Sequence, residues 1–269
     1  MLAVRRPEAE RRAVSVHAMH ESTAGRRYEL IGGTYASTRR TDPRIAARIE
    51  AALGDARTIV NVGAGAGSYE PAGREVIPIE PSPTMAAQRP ASLPQAVIAR
   101  AEALPLADDS ADAAMAIITL HHWDDVAGGI REMRRVARER VVVLTLDPNV
   151  MARSWLRDYA PELRRFDSEF PSVEQIAAAL GGAAISEIPS PSDCVDLFIE
   201  TMLGRPELLL DPEIRANCSG FARMDDAAEA RAVELLRADL DSGEWDSRHG
   251  HLRTMAEHDG GLRLLVAEA

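Results

Sequence analysis

The stretch Thr58-Ile-Val-Asn-Val-Gly-Ala-Gly-Ala-Gly67 decides the fold of this 269-residue chain. It opens as an apolar run of strand type, and glycine then takes every second position, at 63, 65 and 67. A buried strand that runs into such a loop lets a ligand approach bare backbone where a side chain would collide. Seventeen residues after Gly63, a second apolar run, Val76-Ile-Pro-Ile79, ends in Glu80. A strand, a glycine turn and an acid at the tip of the next strand form a nucleoside-binding half-site, in which the ionised carboxylate accepts both ribose hydroxyls.

The glycine spacing separates two classes of nucleoside. The G-x-G-x-x-G loop of dinucleotide-binding folds has its last glycine where the helix packs on the strand, and this chain has Ser68 there. The alternating form here resembles the first motif of class I S-adenosylmethionine-dependent methyltransferases, whose cofactor carries no pyrophosphate. Downstream, Ala101-Glu-Ala-Leu-Pro-Leu-Ala-Asp-Asp-Ser110 is similar to the A-E-x-L-P-F-x-D-x-S segment that follows the third strand in many of these enzymes. Asp112-Ala-Ala-Met-Ala-Ile-Ile-Thr119 then reads as a fourth strand, and His121-His-Trp-Asp-Asp125 resembles the loop after it. Gly129-Ile-Arg-Glu-Met-Arg-Arg-Val136 is similar to the following helix, and Val141-Val-Val-Leu-Thr-Leu146 to the fifth strand. The motifs stand in the family's order over residues 57–147, and within the superfamily the likeness is to the group that includes quinone-biosynthesis and natural-product methyltransferases.

The resemblance implies an α/β fold: a Rossmann-like, mostly parallel seven-stranded sheet flanked by helices, with a helical cap from the N-terminal segment and C-terminal insertions. It implies S-adenosyl-L-methionine as cofactor, S-adenosyl-L-homocysteine as product, and a small organic acceptor methylated on oxygen, nitrogen or carbon. Gly63, Ala64 and Gly65 would lie under the methionine moiety, and Glu80 would take the ribose hydroxyls. Pro81 to Met85 would pass beside the adenine. Many relatives place an aspartate before Ala-Glu to hold the adenine amino group; this chain has Arg100, which has no acceptor. Adenine contacts therefore fall to backbone groups of Ala101 and Glu102. Tyr35 and Arg39 lie in the segment that in relatives folds over the methionine end, where Arg39 or Arg40 could bind its carboxylate; an ordinary surface charge is the competing reading for either arginine. Thr119 closes the cofactor set at the end of the fourth strand. His121 and His122 follow it, near the expected position of the transferable methyl, and either could act as general base or merely shape the pocket. The two are not expected to ligate a metal, because adjacent side chains point apart on an extended backbone.

Read for periodicity alone, strands fall near 57–62, 76–80, 96–99, 112–119, 141–146, 183–189 and 262–267, alternating with helices as in a parallel sheet. Asp42 and Pro43 open a helix that Gly54 ends. Residues 1–22 lack periodicity and are expected to form a tail; 23–55 form an N-terminal cap segment, 56–150 the cofactor-binding core, and 151–269 cap insertions plus the last two strands. Helical patterns at Val195–Leu203, Pro212–Ala222 and Asp225–Leu240 exceed a minimal core. They would cover the carboxyl ends of the strands as an acceptor-binding cap, or else extend the core or pair two copies as a homodimer. Asp193-Cys-Val-Asp-Leu-Phe198 puts acids, a thiol and an aromatic where an acceptor could sit; the competing reading is a helix start capped by Asp193. Trp123 and Trp155 could stack on a planar acceptor, with plain packing as the alternative.

Composition narrows the partners. A net charge of −11 and a pI near 5.2 argue against a nucleic-acid backbone. All 31 basic residues are arginine, which excludes a lysine nucleophile, a lysine Schiff base and a Walker phosphate loop. Two distant cysteines, Cys194 and Cys218, suit neither a disulfide scaffold nor a metal ribbon. With no signal-like or membrane-spanning run, the expectation is a cytoplasmic protein without membrane insertion. An RNA or protein methyltransferase, an NAD-binding oxidoreductase and a non-catalytic cofactor-binding protein are the alternatives.

Overall fold

The structure, a computed structural model, describes residues 39–269. Tyr35 and the expected tail at 1–22 lie outside the described residues. Helix α1 (Pro43–Leu53) starts as the sequence predicts: Asp42 accepts from the Arg44 amide, Pro43 fills the first turn, and Gly54 ends the helix. It buries Ile45, Ile49 and Leu53, one stripe at helical spacing, against the sheet.

The chain then winds through β1 (Thr58–Val62), β2 (Glu75–Ile79), α2 (Pro83–Ala86), β3 (Ala111–Ile117), α3 (Val126–Val136) and β4 (Ala137–Leu146). Four short helices follow, α4 (Pro148–Met151), α5 (Leu156–Tyr159), α6 (Leu163–Asp167) and α7 (Val173–Ala179), and then β5 (Ala184–Glu187) and β6 (Ser190–Pro191). The last elements are α8 (Pro212–Ala216), α9 (Asp226–Ser242), α10 (Glu244–His249), α11 (His251–Thr254), β7 (Glu257–His258) and β8 (Leu262–Glu268). Among the described residues no helix is long and apolar enough to cross a membrane.

The main sheet has six strands in the order β2-β1-β3-β4-β8-β5. Neighbours from β2 to β4 are parallel, and β8 runs antiparallel between β4 and β5. The expected seventh strand at 96–99 is reduced to one bridge, in which Val97 donates to the Pro78 carbonyl and accepts from the Glu80 amide. Pro94 lies just before it, and Val97 and Ile98 are each 41% exposed on the sheet edge, so no buried apolar face extends the pairing beyond this bridge. A two-stranded ribbon, β6 with β7, forms a separate sheet.

Alternation along the strands builds two cores. In β1, Val60 and Val62 face α3 and α7, while Ile59 faces α1 and the Phe166–Phe170 segment. A third apolar cluster, with Trp155, Leu163, Phe221, Leu236 and Trp245, holds the helices between β4 and β8 together. Trp155 belongs to this cluster: its indole donates to the Leu203 carbonyl at 3.0 Å, and its ring meets Trp245 edge-on, at a centroid separation of 5.4 Å. Of the three expected helices here, only the last forms at length, as α9. Residues 195–203 contribute a single 3-10 turn, Ile199–Thr201, and 212–222 are cut to α8 plus a 3-10 turn at Phe221–Arg223. Asp193 caps no helix; it is exposed and pairs with Arg44 at 2.6 Å.

Candidate functional site

From β1 the chain crosses to β2 on one side and to β3 on the other, so the strand order reverses between β1 and β3. Open α/β sheets bind ligands in the crevice above such a reversal. Two turns line this crevice: the glycine loop after β1, and Ile118–Trp123 after β3.

The glycine loop is anchored by its own backbone, with the Gly63 and Ala64 amides donating to the Ile79 carbonyl at 2.8 and 2.9 Å. Gly63 has φ +75°, and a Cβ there would fall on the Thr119 hydroxyl oxygen. The close approach of Thr119 to the loop therefore requires that residue 63 have no side chain. Glu80 lies across from it at 4% exposure, its Oε2 accepting from the Gly65 amide and its Oε1 from the Ser82 amide. Burial pushes this carboxyl above the ordinary glutamate range, opposed by those two backbone hydrogen bonds. Each oxygen keeps a lone pair for a further donor.

Three openings meet at this crevice. The first, of about 460 Å³, brings together Gly63, Glu80, Pro81, Ala101, Glu102 and Thr119, with His122 and Trp123 at its far wall. The second, about 500 Å³, lies under Ala64 and Gly65 and includes Arg39, Met85 and Thr119. The third, about 430 Å³, is bounded by Arg39, His121, His122, Phe166, Phe170 and Phe198. Gly63 and Thr119 border the first two, His122 the first and third, and Arg39 and Ile118 the last two.

Several expected residues sit differently from the sequence reading. Met85 is not beside the first opening; it packs under Gly65, its Cε 3.8 Å from where a Cβ would project. The Glu102 side chain is held by the loop ahead of α3, accepting from the amides of Asp124 and Asp125 at 3.0 and 3.1 Å. Arg100 pairs with Asp124 at the rim, so a carboxylate stands close to where relatives carry their aspartate. Arg39 donates to Asp196 at 2.6 Å and lies 5.1 Å over the Phe198 ring. His121 and His122 do not point apart: they occupy a 3-10 turn, not extended backbone, and their ring centroids lie 3.8 Å from each other. His121 also stacks on Phe170 at 4.1 Å.

Some neighbours of the site carried little sequence signal, and Asp196 was marked only by its place in the 193–198 run. Asp196, 1% exposed, accepts from both Arg39 and the Tyr69 hydroxyl, tying the chain ahead of α1 to the glycine loop's exit and to the segment after β6. Tyr69 and Ile118 are two of three non-glycine residues with positive φ among the described residues. That conformation is unusual for a β-branched residue such as Ile118, and such strain costs about 1–3 kcal/mol where it persists. Both border the second opening. Phe166 comes from α6 and Phe170 from the turn that follows it.

Residues 60–145 match the methyltransferase domain family. The chain is 37% identical over 89 residues to uncharacterized methyltransferases of Mycobacterium bovis and Mycobacterium tuberculosis, a match spanning 31% of this chain and 36% of theirs. The crystal structure of a putative methyltransferase from an antibiotic biosynthesis pathway of Anabaena variabilis superposes with a TM-score of 0.79 at 32% identity. That likeness takes in 86% of this chain and 98% of the other, and it extends through the helices after β4 as well as the sheet. With a glycine loop that leaves no room for a Cβ beside Thr119, a buried acid facing it, and this relative along nearly its whole length, the chain belongs to the class I S-adenosylmethionine-dependent methyltransferases.

Proposed function

We propose that the protein methylates an oxygen, nitrogen or carbon atom of a small organic acceptor held in the cavity beside His121 and Phe170. The observation that supports this best is the meeting of three openings at Ile118–His122: two suit the halves of a nucleoside-containing cofactor, and the third is walled by aromatic rings. When bound, S-adenosylmethionine supplies an activated methyl group. The residues of the chain then align, enclose and handle protons.

Glu80 holds the ribose, and Pro81 with the backbone of Ala101 and Glu102 borders the adenine. Ala64, Gly65 and Met85 line the methionine side. Arg39, paired with Asp196, also borders the methionine side, where a guanidinium suits the cofactor's carboxylate. Thr119 and His122 stand where the openings join, and His121 or His122 takes a proton from acceptors that must lose one. Holding donor and acceptor in line contributes roughly 7–11 kcal/mol in favourable cases. The helices between β4 and β8 form the acceptor cap, and the aromatic cavity under them suits the quinone and natural-product group of the family.

The test is calorimetric titration with S-adenosylhomocysteine and, in parallel, NAD. Glu80→Ala should weaken S-adenosylhomocysteine binding by roughly 10–100-fold, the value of a charge-assisted hydrogen bond. Preference for NAD, or an affinity untouched by the substitution, would sink the reading. Acceptor screening by mass spectrometry follows, and a methylated product is the positive result.

A pH dependence follows from the raised Glu80 carboxyl. Ribose hydroxyls are best accepted by the ionised form, so affinity for S-adenosylhomocysteine should rise as pH increases through the folded pKa. It should begin to fall on acidification while ordinary glutamates are still fully ionised. Affinity that stays flat down to the ordinary range of about 4.3 would contradict this role.

A further inference from the structure

The third opening has an uneven set of charges. Two guanidiniums stand at it or directly behind it, Arg39 and Arg157, and each is matched by a buried carboxylate. Arg39 pairs with Asp196 at 2.6 Å, and Arg157 grips Asp167 through Nε at 2.9 Å and Nη2 at 2.5 Å. A third carboxylate, Glu200, lines the cavity at 4% exposure, and among the described residues its side-chain donor is Arg157, at 3.4 Å. Arg223, over the Phe166 ring, is bound to Glu169. Cys218 adds no charge, since burial pushes its thiol up to about 12. Among the described residues the cavity therefore has one carboxylate more than its guanidiniums balance. Burial likewise pushes the Glu200 carboxyl up, with Arg157 opposing, which fits a charge that its protein neighbours only partly compensate.

Much of the remaining wall is apolar, with Phe166, Phe170 and Phe198 beside Ile118, Leu146 and Ile199, while Ser219 adds a polar group. The His121 ring lies against Phe170 with 22° between the planes, a stack that extends the aromatic surface. Asn217 borders the cavity as well.

We propose that Glu200 is the acceptor-recognition residue, and that the acceptor is a planar apolar molecule presenting a neutral N–H or O–H donor to it and carrying no anionic group. This rests on the methyltransferase reading above, and deepens it by naming the class of acceptor. A buried carboxylate with one weak partner gains from any added donor. An anion beside it is repelled, and among the described residues Arg39 and Arg157 already face Asp196 and Asp167.

Three probes of one shape separate the terms: naphthol, naphthylamine and naphthoate, titrated by calorimetry into protein with and without S-adenosylhomocysteine. The titrations are run at about pH 8.5, above the range in which imidazoles ordinarily carry charge. Naphthol and naphthylamine should bind at least about tenfold more tightly than naphthoate, a difference of about 1.4 kcal/mol. In Glu200→Gln, which keeps the shape, that preference should shrink about tenfold while S-adenosylhomocysteine affinity stays unchanged. Comparing the two donors shows whether N–H or O–H fits better. Naphthoate binding as tightly as naphthol overturns the proposal, as does an unaltered preference in Glu200→Gln or failure of all three to bind. The three-probe comparison on the unmodified protein decides the matter even where the variant folds poorly. Loss of S-adenosylhomocysteine binding by the unmodified protein is read separately, and would overturn the methyltransferase reading itself.

Discussion

Valine at position 63 is expected to abolish cofactor binding, with S-adenosylhomocysteine affinity down by at least about a hundredfold, or roughly 2.7 kcal/mol. Two costs combine. Gly63 has φ +75°, where a β-branched residue is strained by about 1–3 kcal/mol. The new side chain would also occupy the position of the Thr119 hydroxyl, the point shared by the first two openings. Either the loop shifts and breaks its bonds to the Ile79 carbonyl, or Thr119 turns into the cleft. Shortening the obstacle with Thr119→Gly should restore part of the affinity, whereas the φ strain would persist. Calorimetry on folded variants checks this; an affinity within about threefold of the unmodified protein would show that the loop does not cradle the ligand.

Arg157→Leu is expected to be the most destabilising single change in the cap, at about 3–5 kcal/mol. Arg157 is buried between two buried carboxylates, Asp167 and Glu200, and its removal leaves both without their guanidinium. Charges enclosed without a counter-charge are among the few mechanisms that give effects of this size. The melting temperature should fall by roughly 6–20 °C for a domain of this length. Adding Asp167→Leu should recover much of the loss, because a buried pair replaced by apolar side chains is often tolerated. A loss below about 1 kcal/mol in the single variant would mean that water reaches the group readily.

The cofactor side was largely legible in the sequence because it is made by short-range rules. A glycine loop, an acid at a fixed distance and a run of strand-like segments each carry their constraint within a few residues. Gly63, Glu80 and Thr119 meet where that pattern implied. The edge at 96–99 was overread because an apolar run says nothing about whether a second partner lies beside it. Residues 195–203 were overread in the same way: their periodicity is helical, but Thr201 turns its hydroxyl back to the carbonyls of Asp196 and Phe198, which favours a tight turn.

The wall of the third opening was scarcely legible, since several of its contacts join distant parts of the chain. Asp196 meets Arg39 across 157 positions, and Glu200 meets Arg157 across 43. Nothing local distinguishes Phe170 from ordinary core. The left-handed backbone of Ile118 and Tyr69 is equally hidden, because neither residue type favours it. The two histidines were misjudged for want of one fact: the 3-10 turn that brings their rings side by side.

The position of β8 has a consequence for how the protein is made. Residues 262–268 lie inside the sheet, pairing with Arg140–Leu146 on one side and Ala184–Glu187 on the other. During synthesis β4 must wait, its outer edge unpaired, while more than a hundred further residues emerge, and β5 has no partner in the main sheet until then. An open edge of Val141, Val142, Val143 and Leu144 is a template for pairing with other chains. Nascent or truncated chains that lack residues 262–268 should therefore depend on chaperones and aggregate when released early, while the cofactor half-site built on β1 and β2 is already in place.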